Sequence, residues 1–372
     1  MRRILKRFTG LFCVLALCLS MLPVSALAAE DAPSNQPTTL LSDDNVAKIE
    51  ENEYPTLDEA VEAAEDGATI ELLADATTKG WNLTKSLTIT SAPDLAEKPT
   101  VTFEKDGIAL WGKTLTFKGI DVVMNGVGST PYGEWTWMTI CASKDAVLAL
   151  DNVNMTMDAT GSTGSPHAIY FCSNNKLNLT NGSVLTIKNY PNDALEWDGG
   201  DGGYNVNITN STFISDHNRS GFTGTFYATI TNSKVDVVNN LGNGSNGSHF
   251  IIEDSEVNFN NNGSHGLSAG ELSIDNSTVN TKNNNGMGIT VNNAFTVENG
   301  SIVTVTGNAG NSSYGYAAVR LYNDYPFTVD STSELYIEDN NNTGLYVRQG
   351  NLTVEDGAVL KITGNKVSHS LL

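Results

Sequence analysis

Between Asn205 and Asn292 apolar and polar residues alternate in short runs, as in Val206-Asn-Ile208 and Val235-Asp-Val237. Alternation at period two marks strands with one buried face. The runs recur: Ile208-Thr-Asn-Ser211, Ile230-Thr-Asn-Ser233, Ile252-Glu-Asp-Ser255 and Ile274-Asp-Asn-Ser277 follow one another at steps of 22 residues. Asn239, Asn261 and Asn283 keep the same step, as do Gly266-Leu267 and Gly288-Ile289. Self-similarity at a fixed period is the mark of a solenoid. No window here is apolar at i, i+3 and i+4 over a helix length, which excludes repeats built from helices. Asn and Gly punctuate the runs, and both tolerate the left-handed backbone of a sharp corner. Three strands and three corners in 22 residues predict one coil of a right-handed parallel β-helix. Equivalent residues then stack about 4.8 Å apart. Asn210, Asn232, Asp254 and Asn276 form a ladder at one corner, with amides bonding along the stack.

The corner after the first strand can be followed outward as Gly119, Asn152, Asn181, Asn210, Asn232, Asp254, Asn276, Asn299, Ser331 and Asp356. The fold class is therefore all-β, a solenoid of about ten coils over residues 81–372. The longer steps, 33 residues after Gly119, 29 after Asn181 and 32 after Asn299, carry insertions, and loops on a rigid scaffold are where function concentrates. An ordinary strand, Val359–Ile362, stands near the last residue, so the solenoid is expected to be a truncated piece of a longer surface protein.

The start of the chain reads differently. Arg2, Arg3, Lys6 and Arg7, an apolar run from Leu11 to Leu22 and Ala26-Leu-Ala28 describe a secretory signal peptide over residues 1–28. Residues 29–52 are polar and read as a flexible lead. In residues 53–80, Thr56 and Glu59 make a capping box, and Leu57, Ala60, Val61 and Ala64 fall on one helix face. Gly67 is placed to stop that helix, and a strand follows at Thr69–Leu73. One amphipathic helix ahead of a stack of coils is suited to cover its open apolar end. The segment Thr56-Leu-Asp-Glu-Ala-Val-Glu-Ala-Ala-Glu-Asp-Gly-Ala-Thr-Ile-Glu-Leu72 resembles the opening of right-handed β-helix proteins of the pectate-lyase-like superfamily. With the 22-residue units, the resemblance covers residues 54–372. It implies the fold. For activity it implies only a range, since that superfamily holds lyases, glycoside hydrolases, esterases and non-catalytic bacterial surface proteins.

Charge narrows the partners. The 372 residues hold 21 Lys and Arg against 42 Asp and Glu. Loss of the four basic residues of the leader leaves 17 against 42, a net charge near −25. Nucleic acid and anionic membrane are poor partners for such a surface. No later run is apolar for 18 residues, so no membrane span is expected. Cys141 and Cys172 remain after the leader, 31 residues apart in a region of 29- to 33-residue units. At one station of neighbouring coils they would be within disulfide reach; as small buried hydrophobes they would need no bond.

Three sets of residues suggest chemistry. Tyr132, Trp135 and Trp137 lie in the first insertion, Tyr190, Trp197 and Tyr204 in the second, and Tyr314, Tyr316, Tyr322 and Tyr325 in the third. Exposed aromatic faces suit sugar rings; alternatively, these rings fill small cores of their own. Asp193, Glu196, Asp198 and Asp201 share a loop with four glycines. Carboxylates of that kind, Asp193, Asp198 and Asp201 above all, suit calcium; the alternative is a solvated acidic loop in a protein acidic throughout, with no metal, and no other cofactor is suggested. Glu196, Asp198, Asp216 and His217 are the residues available to an acid–base mechanism on a glycan. Ser264-His265-Gly266 matches one part of a polygalacturonase pattern. The Asp-Asp pair and Arg-x-Lys that should accompany it are missing, and a corner role suits His265 better. Together these features describe a secreted or wall-associated bacterial protein, a non-catalytic scaffold that binds a glycan or a host or cell-surface protein. The alternative is a polysaccharide lyase or glycoside hydrolase of the same fold.

Overall fold

The computed structural model describes residues 45–131, 137–197, 203–308 and 317–366. They form a parallel β-solenoid of about ten turns, nearly all β, with a single helix among the described residues. The 22-residue step is the stacking step. Ile208 pairs with Ile230, Ile230 with Ile252, and Ile252 with Ile274 in parallel register. Each coil places one strand in each of three sheets. The second sheet alone has twelve strands. The third sheet runs separately until Leu267–Asp275, a strand that passes straight through its corner. Its first half pairs with Ile289–Val291 and its second with Phe295–Glu298, which joins the third sheet to the first.

Inward positions form apolar rows. Phe171 stacks on Tyr204 at 4.6 Å, Tyr204 lies 5.4 Å from Phe226, and Phe226 lies 5.3 Å from Phe250. A parallel stack brings like residues together, and offset aromatic pairs add to what burial supplies.

The corners follow the Asn pattern. Asn152, Asn181, Asn210, Asn232, Asp254, Asn276 and Asn299 all have φ between 43° and 57°. The expected outer ladder forms in pairs: Asn232 donates to Asn210 at 2.6 Å and Asn276 to Asp254 at 2.6 Å. A second, longer ladder lies inside. Asn240, Asn262, Asn284, Asn308 and Asn340 are buried, each directly after a left-handed corner residue. Asn262 Oδ1 accepts from Asn240 N at 3.2 Å and Nδ2 at 3.0 Å, while Asn262 Nδ2 donates to Asn284 Oδ1 at 3.0 Å and Val237 O at 3.1 Å. A buried serine row at the first corner does the same with hydroxyls: Ser211 N donates to Ser233 Oγ, Ser233 N to Ser255 Oγ and Ser255 N to Ser277 Oγ, each at 3.0 Å. Buried backbone donors that no strand can satisfy are thereby paired.

The helix Leu57–Ala63 covers the first coil with Leu57, Ala60 and Val61 buried. Thr56 Oγ1 accepts from Glu59 N at 3.2 Å, the N-terminal half of the expected cap. Asp58 ties the helix down by accepting from Thr78 Oγ1 at 2.5 Å and Trp81 Nε1 at 3.0 Å. The helix ends before Gly67, because Ala64 is already extended at ψ 143° and Lys85 Nζ takes its carbonyl at 2.6 Å. Gly67, at φ +88°, turns the chain into the strand Ala68–Leu72. The described part of the segment read as a polar lead is ordered. Ala47–Ile49 and Asn52–Tyr54 are antiparallel strands, and the first pairs with Ala68–Leu72, closing the edge of the first sheet.

Candidate functional site

Chemistry gathers on the outer face of the third sheet. Strand His167–Cys172 pairs in parallel with Leu195–Trp197, so that Ile169 meets Leu195 and Tyr170 meets Glu196. The backbone pairing of these two coils continues toward the strand starts, where Ala168 N donates to Asp193 O at 3.1 Å. The result is a cluster that neither strand makes alone. His167 Nδ1 is 3.9 Å from Asp193 Oδ2 and in closer ion-pair contact with Glu196 Oε2. His167 is 9% exposed and Asp193 4%. Burial raises the Asp193 carboxyl above its ordinary pKa, and the Glu196 charge adds to the rise; a Ser220 hydrogen bond and the charges of His167 and Arg219 oppose it. Tyr204 lies under this site with its hydroxyl buried and unpaired. Burial, then the charges of Glu196 and Asp193, pushes its pKa well up.

An aromatic wall stands beside the cluster. Trp137 meets His167 edge-on at 5.6 Å and Tyr170 at 4.8 Å. It is 39% exposed, so part of the indole faces solvent. Tyr170, Met138 and Cys141 pack together behind it, with Trp111 and Cys172 against them.

Several expected site residues lie elsewhere. Tyr190 and Tyr204 are core residues, not platforms for a ligand, since both are buried and Tyr204 belongs to the inner aromatic stack. Trp197 packs against the core because it takes the inward register of Phe171. Tyr132, Trp135, Asp198 and Asp201 lie outside the described residues, as do Tyr314 and Tyr316. Asp216 and His217 close a strand of the second sheet. There His217 Nδ1 is 2.7 Å from Asp216 Oδ1 and Asn239 Nδ2 donates to the same oxygen at 2.8 Å, while His217 takes φ 55° at the corner. Their place is structural, in the corner series. His265 Nδ1 accepts from Met287 N at 3.0 Å across one coil, and burial lowers its pKa. No disulfide joins Cys141 and Cys172, whose side chains are in contact. They sit on neighbouring coils but not at one station: Cys141 pairs with Tyr170, and Cys172 with Ser143.

The corner pattern of the sequence does not single out His167. The signal is an alignment at the third strand. His167-Ala-Ile-Tyr-Phe171 and Asp193-Ala-Leu-Glu-Trp197 share an Ala-aliphatic-x-aromatic pattern that stacks His167 on Asp193. The corner markers hide it, because the loop before the third strand differs in length between the two coils. Comparison of the chain with family models, curated proteins and solved structures returns no match.

Proposed function

We propose that this chain is an exported bacterial β-solenoid of the pectate-lyase-like type, and that it acts outside the cell as a non-catalytic surface for a glycan. Trp137 carries the reading: a partly exposed indole stands beside two carboxylates and an imidazole on a rigid sheet. A pyranose presents a C–H face to an aromatic plane while its hydroxyls donate to nearby carboxylates. The basic and apolar opening of the chain supports export. The helix over the first coil and the Asn corners support the superfamily. The strong negative charge is consistent with a neutral ligand and sets aside nucleic acid.

One observation favours catalysis as a second reading. Two carboxyls share the site, and burial keeps one of them, Asp193, toward its protonated form, as a general acid requires. A glycan array probed with the protein separates the readings. The binding reading expects retention without new reducing ends, weakened at least about tenfold by Trp137→Ala, a loss of about 1.4 kcal/mol. Products that disappear on Glu196→Gln would establish the enzyme instead. Retention unchanged in Trp137→Ala would remove this surface from consideration.

A further inference from the structure

Two carboxylates and an imidazole converge where water has little access. One ligand atom each from His167, Asp193 and Glu196 can be chosen so that all lie within 4.8 Å of one another. A carboxylate taken out of water has to be paired, protonated or bound to a metal. One histidine shared by two acids leaves the group short of positive charge. Arg219 is a further cation whose charge reaches Asp193. The fully buried Tyr204 hydroxyl has no hydrogen-bond partner, and it lies in the field of the same two carboxylates. That is a second, independent sign that the protein's own groups do not complete this site.

The donor set selects the ion. Zinc-like metals take imidazole nitrogen and carboxylate oxygen at about 2.0–2.2 Å, which sets neighbouring ligand atoms roughly 3.4 Å apart in a tetrahedral arrangement. His167 Nδ1 and Asp193 Oδ2, at 3.9 Å, are close to that spacing, and ligation requires the Glu196 carboxylate to turn off its contact with Nδ1. Calcium wants six to eight oxygens, more than two carboxylates supply. We propose that His167, Asp193 and Glu196 form a site for a divalent transition metal of the zinc or manganese class, with at least one coordination position left to water or a ligand. The ligands come from two adjacent coils, so the ion also clips one coil to the next. The site stands whether or not a sugar binds beside it.

The test uses the metal alone and the whole chain. Zinc, manganese and cobalt(II) are titrated separately into chelator-treated protein by calorimetry, and cobalt is also followed by its visible absorption. One equivalent should bind zinc or manganese, and cobalt should give bands of mixed nitrogen and oxygen ligation. His167→Gln and Glu196→Gln should each weaken binding by about 100-fold or more while far-UV circular dichroism stays at wild type. Asp216→Asn, at a corner of the second sheet, should bind as wild type does. No binding of any of the three metals, or equal binding by a folded His167→Gln/Glu196→Gln variant, overturns the site. Absence of sugar binding by the unmodified protein, with metal binding intact, would count against the glycan reading alone.

Discussion

The residue that carries most structural consequence here is the second asparagine of an Asn-Asn pair. In Asn261-Asn262 the first takes φ 57° and turns the chain, and the second points inward. The Asn262 amide makes its bonds to Asn240, Asn284 and Val237 where water does not reach. Replacing it leaves buried donors and an acceptor unmet, and each such group costs about 1–3 kcal/mol. Asn262→Ala should therefore lower stability by about 3 kcal/mol, read as a shifted urea midpoint. Asn154→Ala removes an exposed bond of 3.0 Å to Asp121 from a strand position without left-handed φ, and should cost less than about 1 kcal/mol. Equal shifts for the two variants would mean that burial, not bond count, has been misjudged. The corner residues were legible in the sequence because left-handed geometry selects Asn and Gly. The inner ladder was less so, since an Asn facing in and an Asn facing out are written with the same letter.

At the scale of the element, the strand is short, and its meaning comes from its neighbours. Phe226–Thr231 has alternating burial, with Phe226 between Tyr204 below and Phe250 above. Phe226→Ala should cost about 4 kcal/mol, because a closed stack cannot collapse into the space. Thermal unfolding followed by circular dichroism checks this; a loss under about 1 kcal/mol would show a core looser than described. Strand and helix types could be read from period alone, as could the cap over the first coil. The functional cluster could not. His167, Asp193 and Glu196 meet only once the third strands are placed in register, and loops of unequal length precede those strands. For the same reason Tyr190 and Tyr204 could be read either as surface aromatics or as core: an insertion raises the expectation of a loop, yet Tyr190 follows a strand end by two residues, Tyr204 opens a strand, and both rings are buried.

At the scale of the whole molecule, stacking explains both ends of the described solenoid. A parallel coil offers its neighbour an apolar row and a full strand edge, so an end coil must be covered or remain open. Leu57, Ala60 and Val61 cover the first coil. In the last rung Leu352, Val354 and Ile362, which lie over the core residues Phe327, Val329 and Ile337, are 38%, 38% and 43% exposed. The interior acts as one row of repeated contacts, each coil depending on the next, and the proposed glycan and metal sites use that regularity as a fixed frame. The most direct measurement is a spin-label ruler. Lys234 pairs through Glu256 and Thr278 with Ile302, then Glu334, then Val359. With Cys141 and Cys172 changed to Ser, labels at Lys234 and at each of the last three in turn should be about 14, 19 and 24 Å apart by pulsed electron resonance, narrow and equally spaced at about 4.8 Å per rung. Broad distributions, or separations that fail to grow by one rung at a time, would contradict the stacked register on which both sites depend.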